Sequence, residues 1–189
     1  MASSKVRLLS ALLGLSALAA PALADPTVSV ASVSPVTLGS GVDVQLLVSG
    51  VSDLYAYQLS FSFDPTLLQV GSVTEGAFLG TGGTTTWYSG DTDNTLGTVS
   101  FIVNALNGLI PGVNGGGVLA TIHFDSIAVG TSTISFSDTT LLDSALNTIA
   151  AQATGGSITV SAVPEPSSYL LMGLGVAGLL AWRHRQQAA

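Results

Sequence analysis

The stretch LYAYQLSFSFDPTLL, residues 54–68, decides the fold of this chain. Its large apolar side chains stand at every second position, with small or polar residues between them: Tyr55, Tyr57, Leu59, Phe61 and Phe63. Because successive side chains of a strand point to opposite faces, this alternation predicts a central strand with one dry face. Asp64 and Pro65 follow with the chemistry of a turn, so we expect the strand to end there.

The same period of two recurs on both sides of this stretch. Upstream, four apolar residues between Val42 and Val48 alternate with mostly polar residues and predict a second half-buried strand. Downstream, a loop rich in Gly and Thr is expected from Gly76 to Thr85, and shorter strands follow between turn-forming residues. These shorter strands are predicted at Trp87–Ser89, Leu96–Val103, Val118–Phe124, Thr133–Phe136 and Gly156–Val160. Strands at this spacing predict an all-β sandwich.

Charge and cysteine content narrow the classes of function. All four Lys and Arg residues lie before residue 8 or after residue 182, whereas residues 25–163 hold ten of the eleven acidic residues. Proteins bind nucleic acid and anionic lipid head groups mainly through Lys and Arg, so neither is an expected partner. The chain has no cysteine, which excludes disulfides and thiol chemistry. Dispersed carboxylates that keep the protein soluble explain the acidity more simply than cation binding does.

The first 24 residues have the pattern of a signal peptide. Lys5 and Arg7 precede an apolar run from Leu8 to Ala20, and small residues follow at Ala22 and Ala24. We therefore expect signal peptidase to cut before Asp25 and the protein to be exported. The alternative is a retained N-terminal helix, although the apolar run is short for a membrane span.

The C-terminal residues 163–189 form a second segment outside the predicted sandwich. Two prolines, Pro164 and Pro166, disfavour a helix running in from the preceding domain. Residues 167–182 carry no charge, and Arg183 and Arg185 follow at once. Such a pattern predicts a transmembrane helix with a cytoplasmic basic end. Its length of about 24 Å is marginal against a hydrocarbon core of about 30 Å.

This tail resembles the PEP-CTERM sorting signal of Gram-negative bacteria, which has three features in fixed order: a Pro-Glu-Pro motif, a helix and an Arg cluster. The resemblance implies that residues 167–182 hold the protein transiently in the inner membrane. It also implies that an exosortase, which is a membrane-embedded peptidase, cuts near the motif and releases the protein to the surface. The expected sorting residues are Val163, Pro164, Glu165, Pro166, Arg183 and Arg185. The alternative is an ordinary C-terminal anchor.

The segment between the two signals, residues 25–162, resembles a cohesin domain. The similarity runs from Leu54 through FDPTLL and VTEGAFLG to Gly80, then through GGGVLATIHFDSIAVGTSTISFSD to a terminal GGSITV. It implies a jelly-roll β-sandwich of about nine strands, related in fold to carbohydrate-binding modules, that binds a dockerin domain. Cohesins use an outward polar pair, Asn and then Asp, at positions that read Ala56 and Gln58 here, so the resemblance implies a diverged dockerin-like partner or none.

Four residues form a candidate ligand face: Gln58, Ser60, Trp87 and Tyr88. Gln58 and Ser60 lie on the polar side of the central strand. Trp87 and Tyr88 are aromatic residues of the kind that stack on sugar rings, but neighbours on a strand face opposite ways, so at most one of them is in the core. Burial of Trp87 in the core is the simpler interpretation.

No set of residues predicts catalysis, so we expect a protein that is not an enzyme and has no cofactor. His123 and Asp125 share one face of a strand, but a strand that turns its apolar residues inward places His123 outside a cleft. Glycosidase chemistry needs two carboxylates at a set separation, and nothing selects a partner for Glu75.

One short acidic segment resembles the start of a calcium loop. Asp91, Asp93 and Asn94 supply oxygen donors near alternate positions, as this ion prefers. Thr95 stands where another donor is needed and no Glu closes the loop, so a plain turn is the preferred interpretation over a metal site.

The sequence thus predicts a non-enzymatic binding module of the cell surface or extracellular matrix, recognising a dockerin-like domain or a polysaccharide. The alternative is a structural matrix protein that associates with copies of itself, since edge strands without Lys do not prevent pairing between chains.

Overall fold

The computed structural model describes residues 25–33 and 35–163, together with residues 175, 176, 183 and 186. Within the described part of residues 25–163, eleven strands and one short helix follow one another: β1 (Thr27–Val30), β2 (Val36–Thr37), β3 (Gly41–Ser62), β4 (Leu68–Glu75), α1 (Ala77–Gly80), β5 (Thr85–Tyr88), β6 (Asp91–Asp93), β7 (Thr98–Leu106), β8 (Val113–Ser126), β9 (Gly130–Asp143), β10 (Gln152–Thr154) and β11 (Gly156–Ser161).

The 22-residue strand β3 belongs to both layers of a β-sandwich. Its first half pairs with β1 and β8, and its second half, from Leu54 to Ser62, pairs with β7 and β9. Between the halves the register shifts, and Gly50 and Asp53 have positive φ angles of 69° and 59°. One layer contains β10, β1, β3, β8 and β4. The other layer contains β5 and β6, both paired with β7, followed by β3, β9, β11 and β2.

The core lies between these two layers. Phe61 of β3 and Phe63, which directly follows β3, pack edge to face against Phe124 of β8. Their ring centroids lie 6.3 Å and 5.4 Å from that of Phe124. Tyr57, Leu59 and Phe61 are at most 2% exposed, which confirms the dry face predicted for this strand. All buried apolar side chains of the described residues lie within residues 28–160, so residues 25–163 contain the core of the described part of the chain.

The structure corrects several details of the predicted fold. It has eleven strands rather than about nine, because β2, β6 and β10 are only two or three residues long and show no sequence periodicity of their own. The two strands predicted from Val42 and Tyr55 are one continuous strand. The predicted loop from Gly76 to Thr85 contains α1, which is held by burial of Phe78 and Leu79.

The two predicted targeting segments lie mainly outside the described residues. Residues 1–24, with Ala22 and Ala24, and the Pro164–Pro166 motif are not described, and the same holds for most of residues 167–182 and for Arg185. Val163 is 55% exposed, and Asp25 and Arg183 are exposed. Among the described residues, no helix has the length and apolar character that a membrane crossing needs.

Candidate functional site

The solvent side of β5, β7, β3 and β9, called here the outer face, forms an open surface. Its residues are related by the strand register: Thr86 and Tyr88 on β5, Phe101, Val103 and Ala105 on β7, Ala56 and Gln58 on β3, and Asp138, Thr140 and Leu142 on β9. Residues directly opposite across paired strands share a face, so Tyr88, Val103, Gln58 and Thr140 form one row across all four strands. All ten side chains are half-buried or exposed, while the residues between them in β3 and β7 face the core.

The two middle strands of the outer face, β7 and β3, contain a β-bulge. The pairing of β3 with β7 shifts between Leu59 and Phe61, which leaves an extra residue on β7 opposite Ser60. Phe101 occupies this bulge with a φ angle of 59° and is 54% exposed. Its amide N–H donates to the Ser60 hydroxyl at 3.1 Å. The bulge therefore turns an aromatic ring toward solvent in the middle of the sheet.

Ser60 therefore differs from its predicted role. It lies on the outer side of β3 but is only 7% exposed, and its hydroxyl is used by the Phe101 amide. Gln58 remains half-buried on the face, where its amide donates to the Asp138 carboxylate at 2.7 Å. Ser60 shapes the surface, and Gln58 and Asp138 form part of it.

Of the two aromatic residues on β5, only Tyr88 belongs to the outer face. It is 48% exposed, and its hydroxyl donates to Asp91 at 2.6 Å. This hydrogen bond raises the pKa of the Tyr88 hydroxyl above its ordinary value. Trp87 lies opposite Asn104 on the inner side of the sheet and packs partly buried against the core.

Asn104 and Tyr57 are buried beneath the outer face. The Asn104 amide donates to Glu75 at 2.9 Å, and Glu75 also accepts from Thr85 at 2.6 Å. The Tyr57 hydroxyl donates to the Leu119 carbonyl of the other layer, and burial raises the pKa of Tyr57. The Glu75 bonds tie β5 and β7 to β4, and the Tyr57 bond ties β3 to β8, so Glu75 has a structural role.

The three candidate calcium ligands each use one side-chain oxygen in a hydrogen bond within the protein. Asp93 accepts the amide N–H groups of Thr95 and Leu96 at 2.8 and 2.9 Å, as in an ordinary turn. The Asn94 amide exchanges two hydrogen bonds with the Val70 backbone at 2.8 and 3.1 Å. Asp91 binds the Tyr88 hydroxyl. Within the described residues, no three His, Asp or Glu side chains are grouped as a metal site would require.

His123 lies on the opposite surface of the sandwich, with 42% of its side chain exposed. Its Nδ1 is 2.6 Å from Asp43, and its Nε2 is 3.7 Å from Asp125. The hydrogen bond with Asp43 is the largest cause of an upward shift in the pKa of His123. No Ser or Thr hydroxyl is among its hydrogen-bond partners in the described residues, so the arrangement is not a Ser-His-Asp triad.

Phe101 and Asp138 are among the outer-face residues that sequence reasoning missed. The alternation of apolar residues in β7 breaks between Val99 and Ile102, both of which are fully buried although three positions apart. An odd spacing between two inward residues is the signature of a bulge. Asp138 has no comparable signal, because its role depends on pairing with β3.

Comparisons with known proteins identify two parts of the chain. Residues 26–160 match the family model of the cohesin domain, and residues 162–186 match the PEP-CTERM protein-sorting motif. No curated protein matches the chain significantly.

Solved cohesin structures have the same fold. The second type II cohesin module of the ScaA adaptor scaffoldin from Acetivibrio cellulolyticus is 17% identical with a TM-score of 0.62, over 79% of this chain and 97% of that one. The third ScaC cohesin of that organism, solved with the ScaB dockerin, is 22% identical with a TM-score of 0.57, over 71% and 98%. A non-cellulosomal cohesin from Archaeoglobus fulgidus is 14% identical with a TM-score of 0.56, over 77% and 96%. The chain belongs to the cohesin family and carries a PEP-CTERM sorting motif after its cohesin domain.

Proposed function

We propose that this protein is an exported, non-enzymatic binding module whose outer face binds a dockerin-like domain. The observation that carries the proposal is an open four-stranded surface in a cohesin domain, with an exposed aromatic ring, Phe101, on one of its two middle strands. The similar Acetivibrio cellulolyticus ScaC cohesin was solved in complex with a dockerin, which supports the choice of partner class.

The composition of the outer face supports a protein partner over a sugar. Trp87, the aromatic residue best suited to stack on a sugar ring, lies on the inner side of β5. The exposed row contains Val103 and Thr140 and, next to it, Ala105 and Leu142. Five of the ten outer-face side chains have no polar atom, namely Ala56, Phe101, Val103, Ala105 and Leu142, and such a mixture of apolar and polar side chains is typical of protein–protein interfaces.

The partner should differ from the dockerins of polar-pair cohesins. Ala56 offers no hydrogen-bonding group, and the Gln58 amide is already bonded to Asp138. A dockerin that depends on charge-assisted hydrogen bonds to an Asn and an Asp would leave its own polar groups unpaired here. We therefore propose a dockerin-like domain with a more apolar contact surface.

In this proposal the N-terminal and C-terminal segments direct export and sorting of the protein and do not bind the partner. The signal peptide of residues 1–24 sends the chain across the inner membrane, and residues 167–182 hold it there transiently. The PEP-CTERM motif presents it to an exosortase, which cuts near Pro164–Pro166 and releases residues 25–162 to the surface or the extracellular matrix.

Calorimetric titration of residues 25–163 with the dockerin domains encoded in the same genome tests the proposal. Thr140→Arg places a long charged side chain on the outer face and should abolish binding, because it holds the partner away from the surface. Gln45→Arg adds the same side chain to an exposed position in the other layer and should leave the affinity unchanged.

Three results would contradict the proposal. Binding of polysaccharide but of no dockerin would assign the domain to sugar recognition. Concentration-dependent assembly without any ligand, measured by sedimentation, would favour the self-associating matrix protein. Dockerin binding that persists in Thr140→Arg would place the binding surface elsewhere.

A further inference from the structure

Phe101 combines three features that rarely occur together. It is an aromatic residue in the left-handed backbone region, with a φ angle of 59°. It is 54% exposed, and it lies at the bulge between β7 and β3, the two middle strands of the outer face. Side chains with a Cβ atom disfavour this backbone region, and an exposed aromatic ring leaves apolar surface in water.

The fold does not require a phenylalanine at position 101. A glycine would adopt this backbone conformation without steric conflict, and the buried neighbours Val99 and Ile102 already fill the core side of β7. The Ser60 hydroxyl bonds to the amide of Phe101 rather than to its ring, so it would support any residue at this position. Strained backbone of this kind clusters at functional sites.

The acidic side chains near Phe101 indicate the charge of a partner surface that would cover its ring. Asp138 lies on one side of the outer face, bonded to Gln58, and Asp91 lies on the other side, bonded to Tyr88. Residues 25–163 contain no Lys or Arg, so the domain cannot neutralise these carboxylates itself except through His123, which lies in the other layer. A partner with basic side chains at matching positions would be electrostatically complementary.

We propose that Phe101 is the anchor of the interface, and that the partner is a dockerin-like domain with an apolar pocket ringed by Lys and Arg. The inference rests on the proposed function and adds the chemistry of recognition to it. The aromatic ring replaces the outward polar pair that Ala56 and Gln58 lack. Central, desolvated aromatic residues often carry most of the binding energy of an interface.

Two substitutions of Phe101 separate its binding role from its structural role. Phe101→Ala should weaken dockerin binding at least about 30-fold, as loss of an interface anchor does. Phe101→Gly should weaken binding equally, yet melt at a higher temperature than Phe101→Ala, because glycine relieves the left-handed strain. Val129→Ala removes a similarly exposed apolar side chain, 53% exposed and outside the outer face, and should leave binding unchanged.

The charge requirement has its own measurement. Affinity for the dockerin domain should fall when NaCl is raised from about 0.05 to 0.5 M, because salt screens the contacts between the partner's basic ring and Asp138 or Asp91. Affinity that is unchanged or rises with salt would overturn the basic ring as a feature of the partner.

The results distinguish this inference from the proposed function. If Thr140→Arg abolishes dockerin binding but Phe101→Ala does not, the outer face is the interface and Phe101 is not its anchor. If no dockerin domain binds, both proposals fall. A Phe101→Gly variant that melts below Phe101→Ala would overturn the argument from backbone strain.

Discussion

The contact between Phe63 and Phe124 joins the two layers of the sandwich and gives a quantitative prediction. The rings lie 5.4 Å apart at an interplanar angle of 72°, an edge-to-face geometry. Such pairs contribute about 0.5–1.5 kcal/mol beyond the area that they bury. Phe63→Leu and Phe124→Leu keep both positions apolar, so a double-mutant cycle between them isolates this pairing.

Each single variant should lower the free energy of unfolding by about 1–3 kcal/mol, since the substitution removes volume from a packed core. Phe124→Leu should cost more, because Phe124 also meets Phe61. The double variant should lose about 1 kcal/mol less than the sum of the two single losses. Urea unfolding of residues 25–163, followed by tryptophan fluorescence, measures all four free energies.

Additive losses, within about 0.3 kcal/mol, would refute this reasoning. They would mean that the two rings bury apolar area independently and that their edge-to-face arrangement adds no energy. A coupling larger than about 3 kcal/mol would also contradict it, because the pair would then act through a wider change in the packing of the layers.

Three further predictions concern the surface and the backbone. Ser60→Ala should lower the free energy of unfolding by about 1 kcal/mol in urea unfolding, because the bulge amide of β7 loses its acceptor. Gly76→Ala should cost about 2–3 kcal/mol, since its new Cβ would collide with the β8 backbone, whereas Gly80→Ala, with open space around it, should melt near the wild type. The pKa of His123 is raised in the folded state by Asp43, so its stabilisation is complete below about pH 6.5 and declines as pH rises through the folded pKa. For this exposed pair the loss of stability should stay below about 1 kcal/mol, and Asp43→Asn should reduce it. Melting temperatures of both proteins at pH 5.5 and 8 measure the effect; equal pH dependence would contradict the role of Asp43.

The sequence predicts the core better than it predicts the surface. The alternation of Tyr57, Leu59 and Phe61 depends on burial, which acts on every second residue of a strand, so the inward face of β3 could be predicted correctly. The predicted break between the first two strands was wrong, because pairing with β8 continues across the irregular residues around Gly50.

The candidate site depends on tertiary pairing and was predicted only in part. Gln58 and Tyr88 lie on the outer face as strand periodicity indicates. Ser60 is covered, and Phe101 is turned outward, because the two strands are out of step at the bulge. A strand pattern assumes regular pairing, and so it cannot place residues at a bulge.

Methyl NMR of residues 25–163 tests most directly whether the outer face binds a dockerin-like domain. Val103 and Leu142 report on the outer face, and Leu47 and Val118, which pair with each other in the other layer, serve as internal controls. On addition of the dockerin domain, we predict that the methyl signals of Val103 and Leu142 shift while those of Leu47 and Val118 stay in place. Shifts confined to Leu47 and Val118 would contradict the outer face as the binding surface.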